Sequence, residues 1–252
     1  MTSRLDILLQ NWPPCVAGTQ HWLNSRGIDN RLADKYVRSG RLARIGHGAY
    51  AQAGSTVDWP GAVQALQVQL ALDVHPGGVT ACDLRSRIPG MDREGQEVVL
   101  FAREGTRLPS WFMNRVWSRP VRLVATNMLA DGKFTLSPVR IGDVELAVAS
   151  LEQAVFEMMY LVPGRQSFDE ALRIMRSLTA LRPPVVQRLL ETCRSVKTKR
   201  LVMVAAERSG HSWVGHLDLS RVSFGSGKRT IHPGGRLDSR YHLVLEESGR
   251  QS

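Results

Sequence analysis

The first residues of the chain place apolar side chains at helical spacing between clear helix-ending signals. Leu5, Leu8 and Leu9 lie on one face of a short first helix, which a Trp-Pro-Pro sequence ends because proline cannot continue a helix. Thr19 is suited to cap a second helix, and Gly27 can adopt the left-handed conformation that ends it. The pattern therefore predicts two short helices separated by a turn.

A third helix and a hairpin follow directly. Asp29 can cap a helix over Asn30 to Ser39, in which apolar and polar residues separate into two faces. The next ten residues, Arg41 to Tyr50, predict two short strands around a Gly-His-Gly turn. Three helices followed by a hairpin are typical of a winged helix-turn-helix.

The remainder of the chain mixes strand and helix patterns. Apolar runs predict strands at 98–102 and 121–125. Between them, Trp111 is expected to pack in the core or a loop rather than to stack on a base. Ser150 and Ser167 are each followed three residues later by Gln or Glu, which predicts two capped helices, and a third begins at Pro183. We therefore expect an α+β protein with a winged helix over residues 1–52, a larger α+β region over 53–252 and a possible subdivision near 145.

The net charge of the chain favours an anionic partner. The chain has 33 Lys and Arg against 23 Asp and Glu, a net charge of +10, and residues 1–50 alone carry seven basic against three acidic side chains. In a winged helix the third helix enters the major groove and the hairpin contacts the adjacent backbone or minor groove. The expected DNA contacts are Arg31, Lys35 and Arg38 from the helix and Arg41, Arg44 and His47 from the wing.

A second basic cluster lies further along the chain. Residues 165–200 contain nine basic side chains against three acidic ones, and the densest stretch runs from Arg194 to Arg200. A solvated helix end, a DNA-facing surface and a protein-facing surface all remain open for it.

The motifs of common enzyme and metal sites are absent from the sequence. The Gly225-Ser226-Gly227-Lys228 stretch lacks the remaining residues of a phosphate-binding loop, and Asp143 and Glu145 lack the lysine that a nuclease metal site would add. The histidines do not have ligand spacing. We expect no catalytic residue, no metal and no cofactor.

The cysteine pattern and the lack of membrane-span and signal-peptide patterns indicate a cytoplasmic protein. The three cysteines are far apart, without the spacing of a disulfide framework or zinc site, which fits a reducing compartment. No apolar stretch approaches the length of a membrane span, and the N-terminus does not have the pattern of a signal peptide. We expect no membrane partner.

Several segments, in this order, resemble the AbiEi antitoxins of bacterial type IV toxin–antitoxin systems. The likeness begins in the winged helix with Gly27-Ile28 and the stretch Tyr36 to Tyr50, and it spans most of the chain. It continues through Trp59-Pro60-Gly61-Ala62, Gly77-Gly78-Val79-Thr80-Ala81, Leu108-Pro109-Ser110-Trp111, Leu181-Arg182-Pro183, the run Ser195 to Leu201, and Gly225-Ser226-Gly227-Lys228-Arg229.

The resemblance implies a protein with two roles. Its winged helix would bind double-stranded operator DNA and repress its own operon, and its C-terminal part would counteract an AbiEii-like nucleotidyltransferase toxin. Within that part we expect the antitoxin surface to include Lys197, Lys199, Arg200, Lys228 and Arg229.

Two other functions remain open at this point. A nuclease could carry the winged helix as its targeting domain, with Asp143 and Glu145 as the residues to test. A regulator that responds to a small molecule could instead use the C-terminal part as a sensor with a ligand pocket.

Overall fold

The structure is a computed structural model and describes residues 4–86, 96–129 and 135–246. Its N-terminal elements are α1 (Arg4–Gln10), β1 (Gly18–Thr19), α2 (Gln20–Ser25), α3 (Asn30–Arg38), β2 (Leu42–Gly46) and β3 (Ala49–Gln52). Strand β3 lies between β1 and β2 and is antiparallel to both. Three helices and this small sheet form a winged helix-turn-helix, which confirms the prediction.

The local signals that predicted these helices are the ones that form their ends. The Thr19 hydroxyl accepts a hydrogen bond from the Trp22 amide at 3.2 Å, and the Asp29 carboxylate accepts one from the Leu32 amide at 2.8 Å. Gly27 ends α2 with a φ of 74°, a left-handed conformation that glycine adopts without strain. The core of the module is apolar and buried: Leu5, Leu23, Ile28, Ala33, Leu42, Ala49 and Tyr50.

The chain forms two compact units. The first contains Met1–Pro76, Asp92–Ala125 and Ser137–Val148, and the second contains Gly77–Met91, Thr126–Leu136 and Ala149–Ser252. The first unit therefore extends well beyond the winged helix. The predicted division at residue 52 concerns where the winged-helix module ends, and it stays a prediction.

The middle of the chain supplies two further sheets. Its elements are α4 (Trp59–Gln64), a π-helical turn (Ala65–Gln69), β4 (Val74–Pro76), α5 (Gly78–Ser86), β5 (Val98–Ala102), α6 (Ser110–Met113), β6 (Val121–Ala125), β7 (Leu136–Ile141) and β8 (Val144–Ala149). Strand β5 is buried along its whole length, antiparallel to β4 and parallel to β6. The strands predicted at 98–102 and 121–125 are confirmed, whereas the sequence did not predict the hairpin of β7 and β8.

Two glutamines of the π-helical turn join parts of the first unit. Gln69 accepts a hydrogen bond from the Thr19 amide at 2.8 Å and donates to the Ala17 carbonyl at 2.7 Å. Gln67 makes the same pair of bonds with the backbone of Ala147, at 3.0 and 2.9 Å. Each side-chain amide thus satisfies a donor and an acceptor at a strand edge, and Gln69 ties the winged helix to the chain beyond residue 52.

The second unit is mainly helical. It contains α5 and, further along, α7 (Leu151–Leu161), α8 (Phe168–Ser177), α9 (Pro183–Thr192) and α10 (Val196–Arg208). The capped starts of α7 and α8 are confirmed, because the Ser150 and Ser167 hydroxyls each accept an amide hydrogen bond from the third residue on, at 3.2 and 3.1 Å. Helix α10 is central, since every residue from Thr198 to Ala206 is buried.

A small sheet completes the second unit. Strand β11 (Leu243–Leu245) is buried and lies between β10 (Arg236–Asp238), to which it is antiparallel, and β9 (Arg229–Thr230), to which it is parallel. Helices and small sheets in both units confirm the predicted α+β class.

Candidate nucleic-acid interface

Helix α3 presents a row of cations to solvent. Arg31, Lys35 and Arg38 are all exposed, as the two-face pattern predicted, while Ala33 is fully buried on the opposite side. Among the residues that the structure describes, no side chain forms an ion pair with Arg31 or Lys35. This face is therefore available for an anionic partner.

Arg41, just before β2, and Arg44, within it, have partners of their own. Arg41 forms an ion pair with Asp6 of α1, and Arg44 forms one with Asp34 of α3. All four side chains keep about two fifths or more of their surface exposed, and exposed ion pairs of this kind contribute about 0–1 kcal/mol. A phosphate could therefore displace either carboxylate at small cost.

Arg44 also lies over the ring of Tyr50, with its guanidinium carbon 5.2 Å from the ring centroid. The Tyr50 hydroxyl donates a hydrogen bond to Gln20 at 2.8 Å. Burial raises the pKa of Tyr50, and the nearby Arg44 lowers it by less. The phenol is therefore neutral at physiological pH and acts as a fixed platform under the arginine.

The wing tip rests on α6, a contact that the sequence did not reveal. A Cβ atom on Gly46 would lie 2.6 Å from the Cβ of Trp111, so only glycine allows this approach. Trp111 is itself buried, which agrees with its predicted packing role. His47 is exposed at the tip, beside this contact.

The second predicted basic site differs from the first, because two of its side chains on α10 are buried. Arg200 is 1% exposed, and its guanidinium donates hydrogen bonds to the carbonyl oxygens of Phe224 at 2.9 Å, Gly227 at 2.8 Å and Gly225 at 3.1 Å. Lys199 is 6% exposed. The expectation that these two residues belong to an exposed antitoxin surface is therefore corrected: Arg200 binds the backbone of the C-terminal segment and Lys199 lies in the core.

Lys197 is half-buried and also has internal partners. Its ammonium group donates to the carbonyl oxygens of Tyr160, at 2.8 Å, and Val162, at the C-terminal end of α7. Burial lowers the pKa of Lys197. A cation at this place satisfies the last carbonyl groups of a helix, so the side chain serves the fold.

Lys228 and Arg229 are the remaining members of the predicted antitoxin surface. Both are exposed, just before and within β9. They therefore remain accessible for a partner, and their role in neutralising a toxin stays a prediction.

The two acidic residues to be tested for nuclease activity do not belong to a cluster of metal-binding side chains among the described residues. Asp143 lies in the turn between β7 and β8, Glu145 lies near the start of β8, and both are exposed. In the described parts of the chain, no group of three or more His, Cys, Asp or Glu side chains could hold a metal ion. Across the same residues, no helix is long and apolar enough to cross a membrane.

Burial keeps the thiol of Cys193 in its protonated, weakly nucleophilic form. Burial raises the pKa of Cys193 to about 11, so the thiolate is scarce at neutral pH.

Comparison with known proteins identifies two matching family models that together cover most of the chain. A model described as "Transcriptional regulator, AbiEi antitoxin N-terminal domain" matches residues 1–88. A model described as "Transcriptional regulator, AbiEi antitoxin, Type IV TA system" matches residues 95–246. No curated protein matches the chain.

A solved structure has a similar fold. The crystal structure of the RV2827C protein from Mycobacterium tuberculosis aligns with a TM-score of 0.64, over 96% of this chain and 89% of that one. The sequence identity is 16%, so the likeness concerns the fold alone.

Proposed function

We propose a function in two parts from the premise that the chain belongs to the AbiEi family of antitoxins and transcriptional regulators of type IV toxin–antitoxin systems. The protein acts in the cytoplasm. Its winged helix binds operator DNA and represses its own operon. Its C-terminal region counteracts a nucleotidyltransferase-like toxin. The division of these roles at residue 52, with a possible further division near 145, is part of the proposal.

The proposed DNA binding rests on the exposed cations of α3. Arg31, Lys35 and Arg38 recur on one side of a helix that occupies the recognition position of a winged helix. An arginine at such a position can bond a guanine edge in two places, and each cation that reaches a phosphate releases a counterion. Arg41, Arg44 and His47 would extend the contact along the wing.

A salt titration of DNA binding tests this part. The wild-type protein should bind a duplex from its own promoter, with an affinity that falls steeply as salt rises. Changing Arg31 and Arg38 to alanine should weaken binding by about tenfold or more, since a good arginine–base contact contributes about 1–3 kcal/mol. Arg173→Ala is a matched control, because Arg173 is an exposed helical arginine of the second unit. Equal affinities for the wild type and the double variant would refute the assignment.

Neutralisation of the toxin is tested in cells. Co-expression with the downstream neighbouring gene should rescue growth if that gene encodes the toxin. The Lys228→Ala, Arg229→Ala double variant should lose part of the rescue, while the Arg31→Ala, Arg38→Ala variant should retain it. Full rescue by the Lys228, Arg229 variant, at equal protein level, would remove these residues from the antitoxin surface.

A further inference from the structure

Helix α6 and the residues after it form one wall of a cleft whose other wall is the wing. Gly46 packs against Trp111 too closely for any side chain, and Arg115 donates a hydrogen bond to the Ile45 carbonyl at 3.3 Å. These contacts hold the wing tip against α6. The cleft has a volume of about 520 Å³.

Polar groups from both walls line this cleft. His47, Ser110 and Asn114 are exposed, and Arg115 is half-buried. Ser, Asn and Arg side chains are among the groups that proteins use to contact the phosphates and sugars of DNA. The wall opposite the wing therefore has suitable donors for a sugar–phosphate backbone.

Arg115 is held in position by its neighbours. Its guanidinium lies 5.4 Å from the ring centroid of Trp117, and the Trp117 indole donates a hydrogen bond to the Phe112 carbonyl at 3.0 Å. An arginine restrained in this way loses less conformational entropy when it binds an anion than a free one does.

The surrounding segment is positively charged. Residues 103–119 contain four arginines and one glutamate. Charge complementarity therefore favours an anionic occupant. Because the cleft is continuous with the wing, which contacts the DNA backbone in winged-helix proteins, that occupant is best identified as the same duplex.

We propose that Ser110, Asn114 and Arg115 form a second DNA contact beside the wing and bind the sugar–phosphate backbone of the operator duplex. The inference rests on the proposed DNA-binding function and extends it to residues outside the winged helix. Arg115 supplies the charge, and Ser110 and Asn114 supply neutral hydrogen bonds.

Salt-dependent binding of the full-length protein to a promoter duplex and to a random duplex tests the inference. Arg115→Gln should weaken binding to both and reduce the salt slope by about one unit, because one phosphate contact is lost. The Ser110→Ala, Asn114→Ala double variant keeps the bond from Arg115 to Ile45. It should weaken binding by about tenfold with an unchanged slope, since two neutral hydrogen bonds are lost. Arg103→Gln is the control for net charge, because Arg103 is exposed in the same segment but does not line the cleft.

The outcomes separate this inference from the proposed function. If the wild type binds DNA and both cleft variants bind it as tightly as the wild type does, the second contact is refuted and the winged-helix function stands. If Arg103→Gln changes the slope as much as Arg115→Gln does, the effect is general charge and the inference also fails. If the wild type binds no duplex, both proposals fall.

Discussion

Replacing Arg200 with methionine removes the charged group that holds the C-terminal segment while keeping a side chain of similar length. Three carbonyl oxygens, those of Phe224, Gly225 and Gly227, lie within 3.1 Å of the guanidinium nitrogens. A fourth, that of His242, lies at 3.4 Å. The variant therefore loosens the contact between α10 and the last strands.

The size of the effect follows from these contacts. A hydrogen bond to a charged group contributes about 1.5–3 kcal/mol, so three such bonds set an upper limit near 9 kcal/mol. Gly225 and Gly227 are exposed, so water can replace the guanidinium at their carbonyl groups, and methionine retains part of the packing. We expect a loss of about 2–4 kcal/mol, because a carbonyl group left without a partner away from water costs about 1–3 kcal/mol.

Hydrogen exchange of the C-terminal sheet measures the effect locally. The amides of Arg229 and Ile231 donate to the carbonyl groups of His242 and Val244, both at 2.9 Å. A loss of 2–4 kcal/mol should speed the exchange of these amides by about 30- to 700-fold where exchange follows the opening equilibrium. Lys228→Met, a change at an exposed position of the same segment, is the control. Unchanged exchange in Arg200→Met, or an equal increase in Lys228→Met, would refute the reasoning.

Two further changes test other contacts of the fold. Burial raises the pKa of Glu152, but hydrogen bonds from Arg182, from Ser150 and from its own backbone together lower it by more, to about 2. This carboxylate therefore stabilises the protein above its ordinary pKa of 4.5 and loses that contribution as the pH falls toward 2. Glu152→Gln should reduce the free energy of unfolding at pH 7 by about 1–2 kcal/mol. It should also flatten the acid limb, which is the fall of the urea unfolding midpoint as the pH is lowered toward 2. Gly46→Ala should lower the free energy of unfolding by about 1–3 kcal/mol, because the new methyl group would overlap Trp111.

Each of these changes has a matched control. Asp169→Asn alters an exposed acid of α8 and should leave the acid limb unchanged, so an equal flattening would contradict the role of Glu152. Gly164→Ala adds a methyl group with no atom within 4 Å and should be nearly neutral. If Gly46→Ala unfolds at the same urea concentration as Gly164→Ala, the wing tip does not need its close contact with α6.

The winged helix could be predicted because its signals are local. Thr19 and Asp29 cap helices that begin within one residue, and the spacing of apolar residues along α3 places Arg31 and Lys35 on the outer face. Such features depend on residues within one or two helical turns of each other. The same is true of the capped helices that begin after Ser150 and Ser167.

The fate of the second basic cluster was decided by residues distant in the sequence. A run of cations usually indicates a solvated surface, because burying a charge without partners is costly. Arg200 is nevertheless buried, since the fold brings it carbonyl oxygens from 24 to 42 residues further along the chain. Gly46 and Trp111 are likewise 65 positions apart, and no local pattern relates them. Short-range capping and periodicity therefore determined the winged-helix module. Only the tertiary structure decided which cations serve the core and what supports the wing, because those roles depend on long-range contacts.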